Sequence, residues 1–215
     1  INEFKKSTLI ISGETVTIES TEGPMIFSVS KDETVKIHVP EGMRYRVSLP
    51  DGSRILLGPN SSLISPIAFR ENERKIATEG SAHFQIAKDK FPFIVNLKED
   101  ISVIVYGTVF SVNSDSKNNE IDAFLYEGVI SLKINQTEHI LKRNQKISYN
   151  SKSKSVYIED FEHGKIFWKD NCIYFNNVTI DQLALEISKW FNISVQFNIA
   201  DIGDVAFSGN IPDVL

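Results

Sequence analysis

Four histidines, His38, His83, His139 and His163, and a single cysteine, Cys172, are the residues through which this chain could hold a metal or activate a nucleophile. None of the histidines has a partner at HxH or HxxxH spacing, so no two are placed by local geometry to share a cation. One thiol cannot close an internal disulfide or supply a CxxC zinc knuckle; a small buried core residue is the simpler role for Cys172. No GxSxG elbow occurs, and no serine, histidine and aspartate can be assigned to a triad from spacing. GxxxxGK[ST] and GxGxxG are also missing, which leaves nucleotide binding without support. The acidic residues Asp51, Glu79 and Glu127 each precede a glycine (Gly52, Gly80, Gly128), and turn chemistry explains such pairs better than acid–base catalysis. The Asn-x-Ser/Thr sequons at Asn60, Asn135, Asn177 and Asn192 fit chance occurrence in an Asn- and Ser-rich chain. Trp168 and Trp190 could form a sugar platform, but Trp190 falls on an apolar helical stripe and reads as core. We therefore assign no catalytic, cofactor-binding or metal-binding residue and expect no cofactor.

The bulk composition agrees. The 215 residues carry a net charge of -5, and 41% are apolar. That is enough apolar sequence for a real core, and it lacks the dense Lys/Arg patch that a nucleic-acid backbone requires. No apolar run approaches the roughly 20 residues of a membrane span. The sequence starts at Ile1 within strand-like residues, and the expectation is an excised soluble fragment whose targeting and membrane segments lie outside it.

Short apolar alternations fill the chain as far as residue 160. Leu9 and Ile11 are separated from Val16 and Ile18 by Ser12-Gly13-Glu14. Tyr45, Val47 and Leu49 are separated from Ile55 and Leu57 by Pro50-Asp51-Gly52, where proline presets φ, aspartate bonds locally and glycine accepts positive φ. Phe91, Phe93, Val95 and Leu97 form the cleanest period-two pattern, with one wet face and one buried. Ile101, Val103, Val105, Phe110, Val112, Ile130, Leu132, Ile134, Ile147, Val156 and Ile158 continue the rhythm. The spacing predicts at least ten strands before residue 160 and a mainly β body, a multi-stranded antiparallel sandwich or roll.

The pattern changes near residue 163. Thr179 and Gln182 have capping-box spacing, Val178 and Leu183 form a hydrophobic staple, and Ile180, Leu183, Ala184, Ile187, Trp190 and Phe191 repeat at helical period up to Asn192. Strands are expected at 193–197 and 205–208. The predicted organisation is an all-β domain at 1–162 and a small, truncated α+β domain at 163–215 with one clear helix.

Several turn-plus-strand blocks occur in a specific order: Val39-Pro40-x-Gly42, Leu49-Pro50-Asp51-Gly52-Ser53, Ser62-Leu63 with Pro66, Phe69 and Arg74, Gly80-x-Ala82-x-Phe84, Pro92-Phe93-x-Val95, Gly107-Thr108-x-Phe110-x-Val112, and Leu125-x-Glu127-Gly128-Val129. Spanning roughly residues 39–150, this series resembles the periplasmic domain of the FecR family of transmembrane anti-sigma regulators. Phe175-x-Asn177, Val178-Thr179-Ile180-x-x-Leu183 and Trp190-Phe191-Asn192-Ile193 are similar to a short secretin/TonB N-terminal signalling domain. That domain's second helix and last strand are missing. Ser81, Gly58-Pro59-Asn60 and Arg143-Asn144 depart from the usual pattern at loops, although Asn144 can still take the left-handed conformation.

The resemblance implies a sensor and not an enzyme. It implies a periplasmic fragment of a single-pass inner-membrane protein, contacted by the periplasmic signalling domain of a TonB-dependent outer-membrane transporter. A cytoplasmic segment outside this chain would release an extracytoplasmic-function sigma factor, commonly after regulated proteolysis. Contact with the membrane would run only through the absent transmembrane helix, and no nucleic acid would be bound. Strand addition to the open sheet edge of the truncated tail is the expected mode of partner contact. The alternative from another class is a β-rich carbohydrate-binding or polysaccharide-active protein, suggested by the 10% aromatic content and the acidic charge.

Overall fold

The computed structural model describes residues 6–19, 24–41, 43–114, 119–160, 166–169, 172–184, 195 and 205–212. The first strands form where alternation and turn residues coincide. β1 (Lys6–Ser12) and β2 (Thr15–Glu19) pair antiparallel across Gly13, whose φ of 61° closes the turn. β3 (Met25–Ser28) adds to β2, and β4 (Thr34–His38) leaves for another part of the sheet. β5 (Arg44–Ser48) and β6 (Arg54–Leu57) form the hairpin predicted at Pro50-Asp51-Gly52, with Gly52 at φ 83° and its N–H donated to the Leu49 carbonyl at 3.0 Å.

The organising element is β8 (Arg74–Gln85), which follows β7 (Ser62–Pro66). Its first half, Arg74 to Glu79, pairs with β7 on one side and β9 (Phe93–Lys98) on the other. Its second half, Gly80 to Gln85, pairs with β6 and β11 (Val109–Ser114). The change of partners falls at Gly80, which has φ 89°, a conformation glycine adopts without steric cost. One long strand thus belongs to two half-sheets. One runs β3-β2-β1-β5-β6-β8-β11 and continues through β12 (Glu120–Glu127), β15 (Gln145–Asn150) and β16 (Ser155–Asp160). The other runs β4-β7-β8-β9 and continues through β10 (Ile101–Val105), β13 (Ile130–Ile134) and β14 (Thr137–Leu141). The sheet does not close into a barrel among the described residues.

Inward side chains from both halves share one core, which includes Ile11, Val47, Ile55, Phe84, Phe110 and Leu125 from the first and Leu63, Phe93, Val95, Val103 and Leu132 from the second. Phe84 lies opposite Phe110 in the ladder, and their rings stack at 4.7 Å. Each fully buried phenylalanine contributes roughly 2–3 kcal/mol of transfer free energy. β9 shows the alternation as predicted: Phe93, Val95 and Leu97 are buried and the residues between them half-buried.

The pairing is not uniformly antiparallel. β1–β5 and β8–β9 are parallel, so the large sheet is mixed. Side-chain alternation records which face is buried and says nothing about the direction of a neighbouring strand. Parallel neighbours need a long crossover. For β8–β9 the second half of β8 and the loop that follows it supply one, without a helix.

The tail contains a second sheet, ordered β17 (Ile166–Lys169), β18 (Cys172–Thr179), β19 (Ala206–Pro212), antiparallel throughout. Residues 206–208 of the strand expected at 205–208 thus fall in β19. A helix, α1, begins at residue 180 and is described to residue 184. Its capping box forms as read: the Gln182 N–H donates to Thr179 Oγ1 at 3.3 Å, and the Thr179 N–H donates to Gln182 Oε1 at 3.1 Å. The rest of the predicted helix, most of the 193–197 strand, Trp190, and the expected domain boundary near 162 lie outside the described residues. No helix among the described residues is long and apolar enough to cross a membrane.

Candidate functional site

The sequence blocks that looked like separate turns converge on one buried ion pair. Asp51, at the β5–β6 turn, meets Arg74, the first residue of β8: Arg74 Nη1 donates to Asp51 Oδ2 at 2.8 Å. The side chains are 5% and 12% exposed for Arg74 and Asp51. Arg74 also donates to the carbonyls of Ala87 and Phe91, each at 2.9 Å, and its guanidinium carbon lies 5.3 Å from the Phe93 ring centroid. On the other side, the Ser53 N–H and hydroxyl donate to the two oxygens of Asp51 at 3.0 and 2.7 Å. The Ala87 N–H then donates to Ser53 Oγ at 3.1 Å. The Leu-Pro-Asp-Gly-Ser block, Arg74 and the Pro-Phe block therefore form one clamp between the β5–β6 hairpin and the loop leading into β9. Turn chemistry was the correct reading of Asp51 but an incomplete one. The missing signal was parity: Arg74 shares the inward face with Ile76 and Thr78, and an inward arginine needs a carboxylate.

The remaining blocks mark close approaches of backbone. A Cβ on Gly80 would stand 2.8 Å from Ser61 Cα, and Ser61 Oγ both accepts from the Ser81 N–H at 2.9 Å and donates to the Ser81 carbonyl at 3.0 Å. A Cβ on Gly107 would stand 2.8 Å from Lys88 Cα. Buried Thr108 donates to the Val129 carbonyl at 3.2 Å, and a Cβ on Gly128 would meet Thr108 Oγ1 at 3.0 Å. These residues are scaffold.

The residues first considered for chemistry are dispersed. His38 is exposed on β4, His139 lies half-buried on β14, and His163 is outside the described residues. His83, on β8, is buried, with Nδ1 2.9 Å from Ser111 Oγ and its ring 5.6 Å from that of Tyr126. Desolvation lowers its pKa to about 4, so the ring is neutral near pH 7. Cys172 begins β18 and Trp168 lies on β17. No group of three or more His, Cys, Asp or Glu residues among the described residues could hold a metal ion. Asn60, Asn135 and Asn177 share a conformational role: all have positive φ, of 55°, 52° and 51°. Asn144 does too, at 69°, as its place in the Arg143-Asn144 turn suggested.

What the surface offers is apolar contact at strand edges. Met25, Ile26 and Phe27 on β3 are exposed, and Tyr157 and Ile158 on β16 are exposed as well. Such groups suit protein–protein association and supply no reacting atom.

Comparison with known proteins bears on the body of the chain. Residues 35–131 match the family model described as FecR protein. No curated protein matches the chain. Two crystal structures of candidate anti-sigma factors from Parabacteroides distasonis are similar in fold. One, at 21% identity, aligns over 84% of this chain and 85% of its own, with a TM-score of 0.62. The other, at 22% identity, aligns over 83% and 85%, with a TM-score of 0.61.

Proposed function

We propose that this chain, a member of the FecR family through its residues 35–131, is the sensor portion of a membrane-anchored anti-sigma factor and performs no catalysis. The observation that carries this reading is the FecR match itself. The residues behind it build a buried clamp and a set of backbone crossings, as expected of a recognition scaffold. The fold shared with the two Parabacteroides candidates supports it.

In this reading the chain stands in the periplasm and receives the signalling domain of a TonB-dependent outer-membrane transporter. Occupancy of that contact is transmitted through a membrane helix to a cytoplasmic segment that holds or releases an extracytoplasmic-function sigma factor. The tail, residues 163–215, is the unit we assign to the transporter contact, by strand addition. Binding of the purified chain to such signalling domains, measured with and without residues 164–215, tests the assignment. Loss of binding on deletion is expected; undiminished binding would move the contact to the β body.

The carbohydrate-binding alternative draws on aromatic content and acidic charge, and neither builds a sugar platform in the core. Phe84, Phe93 and Phe110 are wholly buried and offer no stacking face.

A further inference from the structure

β3 ends its half-sheet: it pairs with β2, and no described strand lies on its other side. Its side chains are exposed on both faces, Met25 at 50%, Ile26 at 66% and Phe27 at 49%. The other strands that end a half-sheet carry charge, Lys36 on β4, Glu138 on β14, Glu159 and Asp160 on β16. Charge at an open edge deters strand addition. Between Pro24 and Ser30 there is no charged residue, in a chain where 24% of residues are charged.

The ladder fixes which backbone groups face outward. The Val29 N–H donates to the Glu14 carbonyl at 2.8 Å, continuing the register in which Ser28 faces Thr15. Bonded and non-bonded positions alternate along an antiparallel pair. Val29, Phe27 and Met25 therefore turn their backbone groups toward β2, and Ile26 and Ser28 turn theirs away from it. Further extension is blocked at both ends: the Ser30 N–H is taken by Glu33 Oε2 at 2.7 Å, and Pro24 has no N–H.

We propose that β3 is a homodimer contact in which two copies pair their β3 strands antiparallel about a two-fold axis at Phe27. Ile26 of each copy then lies opposite Ser28 of the other, and the two exchange N–H···O bonds in both directions. Phe27 faces its own counterpart at a non-bonded position, where cross-strand side chains come closest. Met25 faces Val29. The segment is its own complement in this register. Self-pairing also sets residues at the axis beside their own kind, so any charge there would meet a like charge, and the segment carries none. A different partner strand would impose no such neutrality. The contact is isologous and closes at two copies. A contact of one short strand pair per copy belongs with weak, transient interfaces, and we expect dissociation between about 10 µM and about 1 mM.

The test is sedimentation equilibrium of the 215-residue chain from about 1 µM to about 1 mM, with amide exchange over the same range. The expected result is a mass rising toward the dimer. Exchange at Ile26 and Ser28 slows with concentration, and exchange at Met25 and Phe27, already bonded to β2, does not change. Phe27→Lys and Phe27→Glu each weaken self-association at least about tenfold, and an equimolar mixture of the two restores it because opposite charges then meet at the axis. Ser28→Pro removes an outward donor and leaves the bonds to β2 intact; it weakens the dimer and serves should either Phe27 variant fail to fold. A monomer at every concentration overturns the proposal. So does a dimer that persists in the folded variants, a mixture that stays monomeric, or protection that develops away from β3.

Discussion

Truncating Asp51 tests whether the FecR signature is scaffold. Asp51→Ala removes the carboxylate bonded to Arg74 Nη1 and leaves a guanidinium that is 5% exposed with, among the described residues, its carbonyl partners. Stranding one member of a buried pair costs about 3–5 kcal/mol. Fully buried Ser53 also loses the acceptor for both its N–H and its hydroxyl, each worth about 1 kcal/mol when it cannot be redirected. Because Arg74 keeps its two carbonyl acceptors and the Ser53 hydroxyl can turn to another acceptor, we expect a loss near the lower end of that sum, about 4 kcal/mol, a large part of the ~5–15 kcal/mol typical of a domain. Arg74→Met leaves Asp51 with its Ser53 donors and should cost about 3 kcal/mol. Because both changes break the same contact, the double variant should lose about 4 kcal/mol instead of the sum, a coupling of roughly 3 kcal/mol. Urea unfolding followed by far-UV circular dichroism measures all corners of the cycle, and added salt should change the coupling little because the pair is buried. A cost below about 1 kcal/mol for Asp51→Ala, or additivity within about 0.5 kcal/mol, would refute the clamp.

Other outcomes follow from the same structure. Burial lowers the His83 pKa to about 4 in the folded chain from its ordinary 6.5, so the unfolded chain binds more protons between these values. Stability should then rise with pH across that window and fall by a few kcal/mol as acid approaches pH 4; His83→Gln should flatten the slope of urea midpoint against pH. Gly80→Ala forces a Cβ to 2.8 Å from Ser61 Cα at φ 89° and should cost about 3 kcal/mol or more. Gly13→Ala, at φ 61° with nothing within 4 Å, should cost only about 1 kcal/mol, and thermal melts compare the two. Thr179→Ala removes the acceptor of the Gln182 N–H and should destabilise the start of α1 by about 1 kcal/mol, read as faster exchange of the Gln182 amide.

Local features were the most legible in the sequence. The hairpins at Gly13 and Gly52, the alternation of β9 and the Thr179–Gln182 box each depend on residues only a few positions apart, where period and turn chemistry act directly. Long-range features were not. The parallel pairs β1–β5 and β8–β9 join strands whose alternation is indifferent to direction. The passage of β8 between half-sheets rests on Gly80, which in sequence looked like one more turn glycine. Asp51 and Arg74 were both singled out, in separate blocks, but no local rule joins residues on different strands. The β17–β18 hairpin was missed because the Trp168 region carries no clear alternation of its own. Of the supposed chemical residues, His83 is a desolvated imidazole packed against Ser111 and Tyr126, and three of the sequon asparagines hold positive-φ positions. The sequence had given no reason to assign either a reaction.

In the role proposed above, this chain is the signal-receiving part of an anti-sigma factor. Transcription from a promoter dependent on the cognate sigma factor, measured in cells carrying the full regulator with and without this segment, tests it most directly. Transcription should follow the inducer when the segment is present and become blind to it when the segment is deleted. An inducer response that survives the deletion unchanged would rule out a sensor role for this chain.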